Sequence, residues 1–286
     1  MRMLARAFAA VVTVGAVVVP FATAEAPSAV AAPTWAPAAT APIHPGVQTI
    51  TDGAQCTANF IFFDASNVYI GQAAHCSGTG GATETNGCDS GSLPIGTPVE
   101  VGGASQPGVM VYNSWLTMQA AGETNPDACA FNDLALVQLN PADVGKVNPS
   151  IPFWGGPTGI DTNGTVQGDS VYSYGNSSLR GGVTQLSPKQ GVSLGDDGNG
   201  LSHNVYTATP GIPGDSGSAF LNATGQALGV LSTVQIAPLA GSNGVGDVNL
   251  ELNYLHSHTS NAAQLALGTE LFNPNAVLNL LGQLGL

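Results

Sequence analysis

The chain has 286 residues, 43% of them hydrophobic and 8% charged, enough apolar material for one large domain or two modest ones with a sizeable core. Five cations face 18 acids, a formal net charge of −13. Such a surface repels phosphate backbones and anionic headgroups, which excludes nucleic-acid binding and electrostatic docking to lipid. With 38 glycines, the balance suits a turn-rich all-β protein better than a helical one.

Arg2 and Arg6, then an apolar run over residues 7–20, read as an export signal. Ala22-Thr23-Ala24 places its end at residue 24, and Ala29-Val30-Ala31 gives an alternative end at 31. The run is short for a membrane span of roughly 20 residues, so cleavage and secretion are expected rather than an anchor. Cleavage leaves Lys146, Arg180 and Lys189 as the remaining cations and a charge near −14 or −15. Residues 25–45, with Pro27, Pro33, Pro37, Pro42 and Pro45, read as an extended linker or short pro-segment.

From about Val47 short β-type runs alternate with Gly, Asn, Asp and Pro. They cover residues 59–63, 68–70, 98–101, 109–112 and 134–139, then 165–166, 170–174, 205–208, 218–221 and 227–234. Many short strands at this spacing predict a sandwich or barrel. Asn163-Gly164, Asp197-Gly198 and Asn199-Gly200 fit hairpin turns. A Gly/Pro cluster at residues 152–159 marks a boundary between an N-terminal β-unit, 46–155, and a C-terminal one, 156–258. Residues 251–255, 261–267 and 275–286 have helical spacing, and 259–286 reads as a helical tail packed on the body. Cys56, Cys76, Cys88 and Cys129 predict two disulfides in an exported chain, with three pairings open. Their spacings match no zinc site, and no metal is expected.

Three segments carry chemistry together: Gly71-Gln72-Ala73-Ala74-His75-Cys76, Asn132-Asp133-Leu134-Ala135-Leu136-Val137 and Pro213-Gly214-Asp215-Ser216-Gly217-Ser218. Acyl transfer through a hydroxyl needs a base to take its proton, a carboxylate to orient that base, and amides to receive the oxyanion. Gly214 lets the backbone turn tightly, so that its N–H and that of Ser216 can converge.

These segments resemble the Ala-Ala-His-Cys, Asp-Leu-Ala-Leu and Gly-Asp-Ser-Gly signatures of the chymotrypsin-like, or trypsin-like, serine proteases of the secreted bacterial type. The order His, Asp, Ser is also that family's order. The resemblance covers roughly residues 47–258. It implies two six-stranded antiparallel β-barrels with the active site between them and a C-terminal helical segment. It implies His75 as general base, Asp133 as orienting acid, Ser216 as nucleophile, and Gly214 and Ser216 as oxyanion donors. It implies a Cys56–Cys76 disulfide clamping the loop of His75, with Cys88–Cys129 as the remaining pair. Ser232 resembles the residue that supports the acid and pairs with substrate backbone.

Animal members of the family activate through a new N-terminal ammonium that pairs with the Asp before the nucleophile. No such start is visible before Cys56, yet a buried Asp215 needs a cation. Arg180 is read as that partner. In the specificity pocket the resemblance puts Pro210 at the base and Thr233 and Val234 on the wall. This argues against an Arg/Lys preference and implies small or medium apolar side chains before the scissile bond. The expectation is a secreted, monomeric serine endopeptidase acting on protein or peptide without a cofactor. A catalytically silent binding protein on the same scaffold and an esterase are the alternatives. His256-x-His258 reads as exposed histidines, the Asp196-Asp197-Gly198 run as a hairpin turn rather than a calcium loop, and His44 and His203 carry no specific signal.

Overall fold

The computed structural model describes residues 30–81, 85–235 and 239–283. The export signal and the first residues of the expected linker lie outside them. Fourteen strands carry the fold: β1 Gln48–Thr51, β2 Ala54–Thr57, β3 Ile61–Phe63, β4 Val68–Ala73, β5 Pro98–Val101, β6 Gly108–Asn113, β7 Leu134–Gln138, β8 Ser170–Tyr174, β9 Pro188–Asp197, β10 Ser202–Thr207, β11 Ala219–Leu221, β12 Ala227–Gln235, β13 Ser242–Asp247 and β14 Gln264–Leu265. Four α-helices accompany them: α1 Ser114–Ala121, α2 Pro126–Phe131, α3 Val248–His258 and α4 Ala276–Gln283.

The strands form two antiparallel systems. The first is a curled eight-stranded sheet in the order β14-β3-β4-β7-β6-β5-β1-β2; the second is a closed six-stranded barrel in the order β10-β13-β12-β11-β8-β9. The expected all-β architecture of two strand systems is therefore present, the second closed into a barrel and the first a curled half-barrel. The first system has eight strands rather than six, because polar β1 and β2 pair with each other and β14 returns from the C-terminal tail to β3.

Burial explains the strands. Val68 to Ala73 of β4 is buried at every position and lies between β3 and β7, as a central strand requires. The first sheet packs Ile61, Ile70, Val99, Met110 and Val137 into its own core. The barrel interior holds Val171, Val205, Phe220, Leu228, Leu231 and Val245. A third cluster joins the two systems, with Phe60, Leu134 and Leu136 from the first, Tyr172, Leu221 and Val230 from the second, and Leu252 and Leu255 of α3.

The helices begin where caps permit. The Asn113 side chain accepts from Leu116 N–H at the start of α1, and Asn125 caps α2 just before Pro126. Asp247 accepts from Leu250 N–H at 2.7 Å and starts α3.

Three sequence-based expectations are corrected. The linker fails from Trp35 onward: Trp35 packs edge-on against Phe63, Ile43 is fully buried, and Ala36 and Ile43 donate to the carbonyls of Val147 and Lys146. Proline-rich composition excluded regular structure there, not burial. Residues 165–166 are a loop, with Thr165 bonded through its amide and hydroxyl to the Asp196 side chain of β9 rather than through a backbone ladder. Residues 261–267 contain β14 instead of helix, since the chain must extend there to pair with β3. Among the described residues of the tail over 259–286, the helical ones are those of α4. Among the described residues no helix is long and apolar enough to cross a membrane.

Candidate active site

His75 lies in a 3₁₀ turn, Ala74–Ser77, that follows β4, and Asp133 lies just before β7. The pairing of Ala73 with Leu134 in adjacent strands brings the two side chains together. His75 Nδ1 is 2.6 Å from Asp133 Oδ2, and the His75 amide donates to Asp133 Oδ1 at 2.9 Å. Backbone closes the same unit, because Ala74 N–H donates to the Asp133 carbonyl at 2.7 Å. From the second barrel, Ser232 of β12 donates its hydroxyl to Asp133 Oδ2 at 2.5 Å. The carboxylate is 4% exposed and the imidazole 25%, so the ring opens to the cleft while its partner stays dry. Burial pulls the imidazole pKa down, but the Asp133 charge and hydrogen bond more than offset this, and the pKa is raised above its ordinary value.

Ser216 enters the same cleft, a cavity of about 660 Å³ that His75, Asp133, Gly214, Ser216, Ser232 and Trp115 help to line. The Ser216 carbonyl accepts from Thr57 N–H at 2.8 Å, fixing the turn against β2. Among the described residues its hydroxyl has no hydrogen-bond partner, that of His75 included; unliganded sites of this kind often tighten only around substrate.

The turn over residues 213–217 aims two amides. Gly214 has φ +94° and Gly217 φ +87°, backbone that favours glycine. A Cβ on Gly217 would lie 2.6 Å from the Thr57 carbonyl. The amides of Asp215, Gly217 and Ser218 are bonded to the carbonyls of Ile212, Leu231 and Asp215. Those of Gly214 and Ser216 have no acceptor among the described residues. Ser177 Oγ donates to the Pro213 carbonyl at 2.6 Å. In a trans peptide that points the Gly214 N–H the opposite way.

Beneath the turn lies Asp215, fully buried. Arg180 reaches its carboxylate, and Lys189 Nζ sits 2.9 Å from Oδ2. Burial raises the carboxyl pKa, but Lys189 and Arg180 overcome it, and the net shift is downward. Burial lowers the Lys189 pKa, Asp215 opposes this, Arg180 adds to it, and the net direction is down.

The structure brings His75, Asp133, Ser216, Gly214, Ser232, Thr233 and Val234 to one cleft and Arg180 to Asp215. It does not bring Pro210 there. The Pro210 carbonyl instead accepts from Arg180 at 3.2 Å, and Pro210 is not among the residues of the cavity wall. Asn243 of β13, fully buried, fixes the backbone beside Thr233: its side chain accepts from Gly211 N–H at 2.8 Å and donates to the Thr233 carbonyl at 3.1 Å.

Sequence reasoning missed Lys189, Ser177, Asn243 and Glu251. Glu251 of α3 is fully buried and its Oε1 accepts from the Asp133 amide at 2.8 Å. Burial, with the charges of Asp133 and Asp247, raises its pKa well above the ordinary value despite that hydrogen bond. Two disulfides are present, Cys56–Cys76 and Cys88–Cys129. The first ties the turn of His75 to β2. His75, Cys56 and Cys76 offer ligand atoms within 4.8 Å of one another, but both sulfurs are committed to the disulfide and are not thiolate ligands.

No family model matches the chain. Two curated relatives are glucan 1,3-beta-glucosidases of Candida albicans, one 35% identical over 105 residues and one 36% identical over 100. The chain spans about a third of the length of each, 34% and 32%. Among solved structures, protease A of Thermobifida fusca superposes with a TM-score of 0.50 at 18% identity, covering 79% of this chain and 99% of that one. Nocardiopsis protease gives 0.47 at 20% identity over 78% of this chain and 98% of its own. The chain has the fold of the bacterial chymotrypsin-like serine proteases.

Proposed function

We propose that the protein is a secreted serine endopeptidase that works through an acyl-enzyme on Ser216. The reading rests on one observation above all. A hydrogen-bonded Ser232–Asp133–His75 chain opens into the same cleft as a free serine hydroxyl and two amides without acceptors. Ser216 Oγ attacks the carbonyl carbon of the scissile bond as His75 Nε2 takes its proton. The carbonyl oxygen gains the negative charge and is held by the amides of Gly214 and Ser216. Collapse breaks the C–N bond, and His75 returns the proton to the departing amine. Water then repeats the sequence on the ester, with Ser216 as leaving group. The raised pKa of His75 suits this part, because the imidazolium must be stable between the two transfers.

The side chain before the scissile bond faces Ser232–Val234, and Asn243 anchors the Thr233 carbonyl. With Asp133 committed to His75, no further carboxylate among the described residues of the wall is there to pair with Arg or Lys, which supports small or medium apolar residues instead. Secretion follows from the export signal ending at residue 24 or 31 together with the two disulfides. The glucosidases matched over a third of the chain suggest no second reading of this cleft. Glycoside hydrolysis takes two carboxyl groups about 5–10 Å apart, and Asp133 is the carboxylate among the described residues of the wall.

The test is turnover of a peptide library by the mature protein and by Ser216→Ala. We expect cleavage after small or medium apolar residues by the former and a loss of about 10⁶-fold in the latter. A wild-type protein that cleaves esters but no amide turns the assignment to an esterase, and one that cleaves neither contradicts it.

A further inference from the structure

The buried Asp215 carboxylate has four donors: Arg180, Lys189 at 2.9 Å, Ser177 N–H at 3.0 Å and Ile212 N–H at 3.2 Å. Two cations thus share one anion, and they are not seated equally well. Lys189 is fully buried, and its Nζ also meets the carbonyls of Thr209 at 3.1 Å and Pro210 at 3.4 Å. An ammonium has three N–H donors and a neutral amine two. Three acceptors around one nitrogen are a site built for the charged form.

Arg180 is seated less completely. One terminal nitrogen serves both Asp215 and the Pro210 carbonyl, and its buried Nε has no partner. Gly175 makes room for the lysine, since a Cβ there would lie 2.7 Å from Lys189 Cε and collide with the Asp215 carboxylate. An unpaired buried carboxylate is costly, and Asp215 lies between the two residues whose amides face the oxyanion.

Resting on the peptidase reading above, we infer that Lys189, more than Arg180, is the internal counter-ion that holds Asp215 and thereby positions the amides of Gly214 and Ser216. Its ammonium, carried on β9 and not part of the cleft wall, takes the place that a liberated N-terminal ammonium has elsewhere. Competence of the site is then independent of where the mature chain begins. The pair of cations also leaves one positive charge in excess beneath the turn that receives the oxyanion.

The experiment compares mature wild type with Lys189→Met, Lys189→Ala and Arg180→Gln, reading kcat, KM and Tm on one peptide amide. Lys189→Met retains volume, so its loss reports charge. We expect it to lower kcat about 100-fold, the scale of one lost oxyanion donor, with KM within about 3-fold. Lys189→Ala should regain at least about 10-fold in kcat on addition of n-propylammonium, which restores the missing atoms; a merely structural lysine gives no such rescue. Arg180→Gln should lose less than about 10-fold. A folded Lys189→Met with wild-type kcat overturns the inference, as does a folded Lys189→Ala that n-propylammonium does not revive. An Arg180→Gln loss of about 100-fold or more also overturns it, and that result needs neither lysine variant to fold. An inactive wild type contradicts the peptidase reading instead, so the two failures are distinct.

Discussion

The two walls of the cleft bury opposite charge. Behind His75 lie Asp133 and Glu251, both acids, with Ser232 as the hydroxyl donor to Asp133. Beneath Ser216 lie Arg180 and Lys189 around Asp215. The first wall favours an imidazolium and the second an oxyanion, and these are the two charges that acyl transfer creates together. Electrostatic stabilisation of this kind is strong when the groups are fixed beforehand and shielded from water. The Glu251 carboxyl sits against the Asp133 backbone in a dry site, where a second charge beside Asp133 is costly. Burial, with the charges of Asp133 and Asp247, accordingly raises the Glu251 pKa well above its ordinary value.

Asp133→Asn should damage the first wall most. It keeps the shape, removes the charge and offers His75 the wrong hydrogen-bond pattern, so kcat should fall about 10⁴-fold. Steady-state kinetics check this, with an unchanged Tm showing that the fold persists.

A smaller effect is on pH dependence. His75 must be neutral to act as base, and its pKa is raised in the fold. The acid limb of kcat/KM should therefore lie above the ordinary imidazole value of 6.5. Ser232→Ala removes a donor from Asp133 and leaves its charge less compensated, which moves the limb further up. The profile of that variant against wild type is the measurement, and a downward shift would count against the charge assigned to this wall.

The smallest effect expected on activity is that of Glu251→Gln, which retains an acceptor for the Asp133 amide. Its thermal signature has a sign. A carboxyl whose folded pKa is raised contributes most below its unfolded value near 4.5, and stability is lost as pH rises from there toward the folded pKa. Glutamine has no such loss. Melting scans should show the variant gaining on wild type as pH rises above the ordinary carboxyl value of 4.5, while kcat stays within about 3-fold.

The reacting side chains were legible in the sequence, and the buried charges that support them only in part. His75, Asp133 and Ser216 stand in compact local motifs, because chemistry fixes their immediate neighbours. Arg180 was reachable by counting, since a buried Asp215 needs a cation and the mature chain has three. Lys189 was not, because a lysine between Pro188 and Gln190 in an exposed-looking strand carries no local mark of burial. Its partner lies 26 positions away across the barrel, and only the register of β8 with β9 turns it inward. Glu251 looked like the polar face of a helix, and its contact with Asp133 spans 118 residues. His203 likewise carried no signal, yet it is fully buried between Asp196 at 2.7 Å and Asp247 at 3.1 Å, where it ties β9 and β10 to the cap of α3. Pairings of that range are set by strand register and barrel closure, which spacing along the chain does not encode. The same holds for β1, β2 and β14, whose polar residues show no hydrophobic run and become strands by pairing.

The central claim is that Ser216 is a nucleophile activated by His75. Mass mapping of the mature protein after exposure to a fluorophosphonate tests it most directly. We expect one adduct, on the peptide bearing Ser216, formed quickly by wild type, slowly by Asp133→Asn and not by Ser216→Ala. An unmodified Ser216 in folded wild type, or an adduct confined to another residue, would contradict it.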